Sequence, residues 1–286
     1  MNALLRAVFW VAGATCSFIA MAVTGREVSR ELDTFELMLY RSLIGIIIVT
    51  SVAALTGNLR NINTQQMPLH LTRNIGHFTG QNLWFFAIST IPLAQVVALE
   101  FTTPLWVALA APLILGERMT WLRGFAVFLG FLGVLIVARP DELVLEPGVL
   151  AAAGCAVGFA ITFLAAKSLA RTQTVTCILF WLSVMQAVFA LILAGFDGDI
   201  ARPSIGVLPI VVAVSVTGLL AHFCLTRALQ IAPASVVSPM EFARLPLIAI
   251  VGYLLYDEPF ALAILIGGAL ILTGNTINIV QSNRGH

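Results

Sequence analysis

Ten runs of predominantly apolar residues, near 4–24, 35–56, 72–90, 93–115, 120–138, 148–168, 174–195, 206–227, 233–255 and 261–280, fill most of the 286-residue chain. A helix needs about 20 such residues to cross a bilayer, where every backbone amide has to be satisfied within the span. The runs are too long and too uniformly apolar for barrel strands, which alternate polar and apolar positions. The expected fold is therefore all-α, a polytopic membrane protein of ten transmembrane helices. Charged residues make up 10% of the chain, against about 25% in a soluble domain, and the short connections leave no room for a sizeable soluble domain. The net charge of +1 excludes the basic footprint of a nucleic-acid binder. Cys16, Cys155, Cys177 and Cys224 lie inside apolar runs without zinc or disulfide spacing, and read as packing residues.

Placing the N-terminus in the cytoplasm puts Arg6, Arg60, Arg73, Arg118, Arg123, Lys167, Arg171, Arg227 and Arg284 on or near the inner side. Only Arg26, Arg30, Arg139 and Arg202 fall outside. This positive-inside bias predicts cytoplasmic N- and C-termini. Arg6 ahead of an apolar run, with Ala20-Met21-Ala22 behind it, imitates a signal peptide. The repeat described next makes the first span part of the folded unit, so it is expected to be retained.

Shifting the chain against itself by 141 residues aligns Phe18 with Phe159, Pro92 with Pro233, Glu100-Phe101 with Glu241-Phe242, Glu117 with Glu258 and Gly133 with Gly274. Matching intramembrane glutamates and loop prolines at one constant shift is not a product of shared apolar composition. Each copy holds five spans, an odd number, so the second copy starts on the opposite side of the membrane. The expected organisation is two inverted five-helix repeats, residues 1–140 and 141–286. Such repeats suit secondary transporters, whose halves rock about a site near the midplane.

Leu115-Gly116-Glu117-Arg118, then Trp121-Leu122 and the glycine-spaced run Gly124, Gly130, Gly133 to Pro140, resembles the repeat ending of the EamA-type drug/metabolite transporters. Asp257-Glu258-Pro259 is a looser version in the second copy. The resemblance implies a ten-helix exporter of small metabolites in the bacterial inner membrane, with a central cavity lined by spans 1, 3, 4, 6, 8 and 9. Amino-acid exporters, including those for aromatic amino acids, are the nearest analogy it offers.

Several polar residues do not belong in lipid. Asn74, His77, Gln81 and Trp84 recur at three- and four-residue spacing on span 3, which places them on one helical face. Ser215, Gly218 and His222 occupy the matching positions of Asn74, His77 and Gln81 on span 8. The two stripes are expected either to line one substrate cavity or to bond neighbouring helices. Glu100 and Glu241 lie about eight residues into spans 4 and 9, and an ionised group there costs at least about 2.5–3.5 kcal/mol unless it faces protein or water. Arg41, at a similar depth on span 2, is the expected ion-pair partner of Glu100. Arg244 follows Glu241 by three residues and is expected to serve as its partner or as a counter-ion for a substrate carboxylate. Aromatic residues on the same spans, among them Phe18, Phe101, Phe159 and Phe223, suit a site that is apolar with a few polar groups.

The candidate substrate-binding set is therefore Asn74, His77, Gln81, Trp84, Glu100, His222, Glu241 and Arg244. Gly154 with Gly158 has GxxxG spacing, and Gly13, Gly130, Gly133, Gly267 and Gly268 also favour close helix approach. Packing is the expected role of these glycines; the family resemblance places the fourth and fifth spans of each repeat at the outside ends, which implies that glycines there could also serve a homodimer, so monomer and homodimer both stand. Neither His77 nor His222 has a metalloenzyme neighbourhood, and no phosphate loop or nucleophile elbow is present. No enzyme activity, cofactor or metal is expected. The inverted repeats predict alternating access, and the resemblance implies export of small metabolites, with amino acids, aromatic ones included, as its nearest analogy. The rivals are a flippase for a lipid or lipid-linked sugar, and an intramembrane enzyme or receptor subunit without transport.

Overall fold

The computed structural model describes residues 3–114, 121–138, 146–169, 172–196, 198–231, 240–241, 243–259 and 261–284. The motif Leu115-Gly116-Glu117-Arg118, together with Arg139, Pro140, Arg171, Pro233 and Phe242, lies outside them. All regular structure among the described residues is helical: α1 (Ala3–Val28), α2 (Thr34–Leu55), α3 (Met67–Thr90), α4 (Leu93–Glu100), α5 (Thr103–Ile114), α6 (Trp121–Ala138), α7 (Pro147–Leu169), α8 (Val175–Ala194), α9 (Leu208–Ile231), α10 (Arg244–Tyr256) and α11 (Leu262–Arg284). A single 3-10 turn, Leu59–Asn61, links α2 to α3.

α1, α2, α7, α8 and α9 are each long and apolar enough to cross a membrane on their own. α3 has the length, but it carries His70, Arg73, Asn74, His77, Gln81 and Asn82, all buried. It is stabilised by neighbours rather than by lipid. α3 also begins five residues before the expected start of its span, because Pro68 at the first turn is pre-shaped for a helix start and the polar residues that follow point inward. Around the perimeter, large apolar side chains such as Ile47, Phe128 and Leu254 are exposed, the surface a hydrocarbon solvent requires.

The dominant helix pairings are α3 on α7, α1 on α9, α2 on α8 and α6 on α11. Every one of them joins the first half to the second. The 141-residue shift carries α1 to α7, α2 to α8, α3 to α9 and α6 to α11, so the α1–α9 pair is the image of the α3–α7 pair. Lipid tails are as apolar as leucine, so close contact of small residues has to hold such pairs together. At the α3–α7 crossing, a Cβ on Gly158 would come within 2.8 Å of Gly80 Cα and 2.7 Å of the Gly76 carbonyl oxygen. At the α6–α11 crossing, a Cβ on Gly133 would lie 2.5 Å from the Gly267 carbonyl oxygen, so these end-of-repeat glycines are engaged within the chain. Backbone atoms cannot swing aside as a flexible side chain does. Gly158→Ala is therefore expected to force α3 and α7 apart and cost about 2–3 kcal/mol, the upper range of overpacking, read as a lowered melting temperature in detergent.

Span 4 was expected to be one helix over 93–115, and it is broken between α4 and α5. Pro104 lacks an amide hydrogen and its ring crowds the carbonyl four residues back, that of Glu100. The Thr103 hydroxyl takes over that carbonyl at 2.7 Å, and Asn275 of α11 donates to the Phe101 carbonyl at 2.6 Å. The freed backbone groups are thus satisfied inside the protein, the condition for irregular backbone at membrane depth. In span 9, Met240 and Glu241 are helical, Ala243 has right-handed helical dihedrals and α10 runs from Arg244, while Phe242 lies outside the described residues.

Candidate functional site

Glu100, at the end of α4, and Arg244, at the start of α10, stand opposite each other. Arg244 Nη2 donates to Glu100 Oε1 at 2.6 Å, and Trp84 Nε1 of α3 donates to Glu100 Oε2 at 2.9 Å. Both carboxylate oxygens are thereby engaged, and a buried ion pair with extra hydrogen bonds is the arrangement that offsets its desolvation. The Arg244 guanidinium also lies over two rings, 4.8 Å from the Phe18 centroid and 4.9 Å from that of Phe101. Glu241 sits one turn before Arg244, half-buried.

The expected Arg41–Glu100 pair is not formed. Arg41 points toward α9, where a Cβ on Gly218 would lie 2.9 Å from Arg41 Nη2 and 3.1 Å from the Met21 sulfur. Its further contacts are the Met38 sulfur at 3.5 Å and the Phe85 ring at 5.8 Å. Two causes act together: Trp84 and Arg244 already fill Glu100, and the missing side chain at Gly218 leaves space for the guanidinium. Gly218 is the repeat counterpart of His77, so one half carries an imidazole where the other leaves a gap.

His77 of α3 and His222 of α9 meet between the halves with ring centroids 5.8 Å apart. Phe159 of α7 lies 6.1 Å from His77, and Phe18 of α1 lies 5.6 Å from His222. The repeat-related pair of phenylalanines therefore brackets the repeat-crossing pair of histidines. Gln81 is buried on the His77 face. Asn74 is drawn away from this cluster: its amide donates to the Trp181 carbonyl at 3.4 Å and to the Met185 sulfur at 3.1 Å, while Gln186 donates to its own carbonyl at 3.2 Å. Asn74 thus ties α3 to α8. Ser215 likewise bonds within its own helix, to the Val211 carbonyl at 2.7 Å.

Sequence reasoning missed a clasp at the end of the bundle where α1 finishes, here the Arg26 end. Arg26 pairs with Glu258, donates to the Ile91 carbonyl at 3.3 Å and lies 4.4 Å from the Tyr256 ring. Glu258 Oε2 accepts from the Leu93 amide at 2.9 Å, and Tyr256 donates to Glu27 at 3.0 Å. Below the clasp, Phe85 of α3 packs so closely on α1 that a Cβ on Gly25 would lie 2.5 Å from its ring. A signal was present: under the same shift Arg26 falls on Lys167 and Glu258 on Glu117, a basic–acidic couple in each half.

The opposite end, near Arg6, differs. A cavity of about 220 Å³ lies there, lined by Arg6, Trp10, Arg227 and Ile231. α1 and α3 touch, whereas their counterparts α7 and α9 make little contact among the described residues. Among the described residues the inverted halves are thus not held alike: the Arg26 end is clasped, and a cavity lies at the Arg6 end.

Two five-helix halves related by an inverted repeat, with a broken helix beside Glu100 in the first, fit a membrane transporter built on inverted repeats. The chain belongs to the EamA-like transporter family, whose model matches residues 5–139 and again residues 146–280. It is 23% identical over 275 residues to an S-adenosylmethionine uptake transporter of Rickettsia bellii, covering 96% of this chain and 93% of the relative. It is 26% identical over 271 residues to a riboflavin transporter of Vibrio cholerae, covering 94% and 91%. A pseudopaline exporter of Pseudomonas aeruginosa is 27% identical over 276 residues, with 95% of each chain covered. One solved crystal structure superposes at a TM-score of 0.62 with 19% identity over 99% of this chain and 97% of the other, a likeness of fold. The family and these relatives are transporters rather than enzymes.

Proposed function

We infer that this protein exports small zwitterionic metabolites, amino acids with apolar or aromatic side chains among them, by alternating access between its two halves. The observation that carries this reading is the broken symmetry of the inverted pair: the Arg26 end is clasped while the Arg6 end holds a cavity. Exchanging the conformations of the two halves produces the opposite state from the same sequence. The arginine and lysine bias puts the Arg6 end and both termini in the cytoplasm, so the state described here is open inward. The aromatic bracket of Phe18 and Phe159, with acidic and basic groups at its rim, suits a molecule bearing an apolar side chain and both charges. Among the relatives' substrates, S-adenosylmethionine carries an α-amino-acid group.

Counterflow in proteoliposomes containing only the purified protein tests this reading. Preloaded phenylalanine or methionine is expected to drive accumulation of the labelled amino acid, competed by S-adenosylmethionine. Movement of acyl-chain lipids with no amino-acid flux would replace the reading with a flippase, and no flux of any solute would remove transport. Repeating the assay under an imposed pH gradient separates proton coupling from exchange: a rate that ignores the gradient excludes coupling.

A further inference from the structure

Among the charged residues of the described spans, Arg41, Arg73, Arg244, Glu100 and Glu241 stand closest to the site between the halves. A guanidinium stays charged under all conditions met by proteins, and an intramembrane cation is retained only where something compensates it. Arg244 and Glu100 compensate each other. Arg41 has a thioether at 3.5 Å and a ring at 5.8 Å, neither of which carries a charge. Arg73, 7% exposed, has the Asn74 amide oxygen at 3.4 Å and a buried Nε without a hydrogen-bond partner. The side of the site facing α2 and α3 therefore holds positive charge that no described carboxylate balances.

The position of Arg41 says what balances it. Gly218 is the eleventh residue of α9, about 15 Å along that helix and so near the bilayer centre. The guanidinium seated against it lies one helical turn from His222, whose ring is 5.8 Å from that of His77.

We propose that Arg41, lodged against the bare backbone of Gly218, is the counter-ion for an anionic oxygen group on the substrate, a carboxylate or phosphoryl group presented at the midplane. This deepens the amino-acid reading and rests on it for the rest of the molecule: the acid end lies at Arg41, and Glu241 across the site faces the ammonium end. It assigns to Arg41 the role expected of Arg244, which Glu100 has already taken.

Ligand-induced thermal stabilisation of the full-length protein provides the test, with phenylalanine, methionine and lysine each compared with its α-carboxamide, and the phosphonate analogue of phenylalanine separating phosphoryl from carboxylate preference. At least one acid is expected to bind about tenfold or more tighter than its amide, the scale of a charge-assisted bidentate contact. Arg41→Gln is expected to abolish that preference, Arg41→Lys to restore part of it, and Gly218→Ala to weaken it by displacing the guanidinium. Without ligand, Arg41→Gln should melt at the wild-type temperature or above, since it removes an uncompensated cation. A lower melting temperature would mark a structural cation and overturn the proposal, as would an unchanged acid preference or the failure of every acid to bind. Binding is read without flux. A protein that binds acids through Arg41 but moves no amino acid sinks the transport reading alone, and one that carries acids and amides equally sinks only this proposal.

Discussion

Glu100→Gln is expected to lower the stability of the folded protein by about 3–5 kcal/mol, because breaking one side of a buried ion pair leaves the other charge uncompensated. The stranded group is Arg244, which loses its 2.6 Å contact and keeps only the Phe18 and Phe101 rings and the neighbouring Glu241. Thermal unfolding monitored by intrinsic tryptophan fluorescence would show a lowered midpoint, and Trp84 should report locally through its lost charged acceptor. The double variant Glu100→Gln, Arg244→Met separates stability from function. Removing both charges is often neutral or stabilising, so its midpoint should return toward the wild-type value while flux stays at background. Full flux in the double variant would show that the pair only holds α4 against α10.

Glu258→Gln is expected to shift the protein toward a state open at the Arg26 end. Glu258 accepts from Arg26 and from the Leu93 amide, and hydrogen bonds to a charged group are worth about 1.5–3 kcal/mol each. Losing even one such contribution changes the open-to-closed ratio by roughly tenfold or more. A single cysteine introduced at Thr24, in a background lacking Cys16, Cys155, Cys177 and Cys224, would react faster with an impermeant maleimide from the Arg26 side. Arg26→Gln should do the same, and the two substitutions together should add little, since each removes the same bond. Equal labelling in all four proteins would show that the Gly25–Phe85 contact closes this end unaided.

Hydropathy alone marked ten spans, and the 141-residue repeat marked their inversion, because both depend on solvent and on odd span number rather than on contacts. The polar face of α3 was legible for the same reason: His77, Gln81 and Trp84 have no place in lipid, and all three are buried. The repeat also flagged Glu100 and Glu241, but not the helix break beside Glu100. Pro104 and Pro246 were visible in the sequence, yet a proline in a membrane helix either kinks it or interrupts it according to which neighbours take the freed carbonyls. Here Asn275, 174 residues away from Phe101, makes that choice.

What periodicity and charge fixed, then, was the number of spans, their inverted arrangement and the identity of the ionisable residues that require a protein environment. Which charge meets which was settled only in three dimensions. Arg41 and Arg244 were both deep enough to reach Glu100, and sequence separation does not distinguish them. Trp84 and Arg244 converge on its two oxygens, and an empty Cβ position at Gly218 draws Arg41 elsewhere. The same holds for Arg26 and Glu258, 232 residues apart, which meet only through the packing of the two halves. Burial of a residue follows from its own chemistry, but pairing depends on the relative placement of helices that only packing sets.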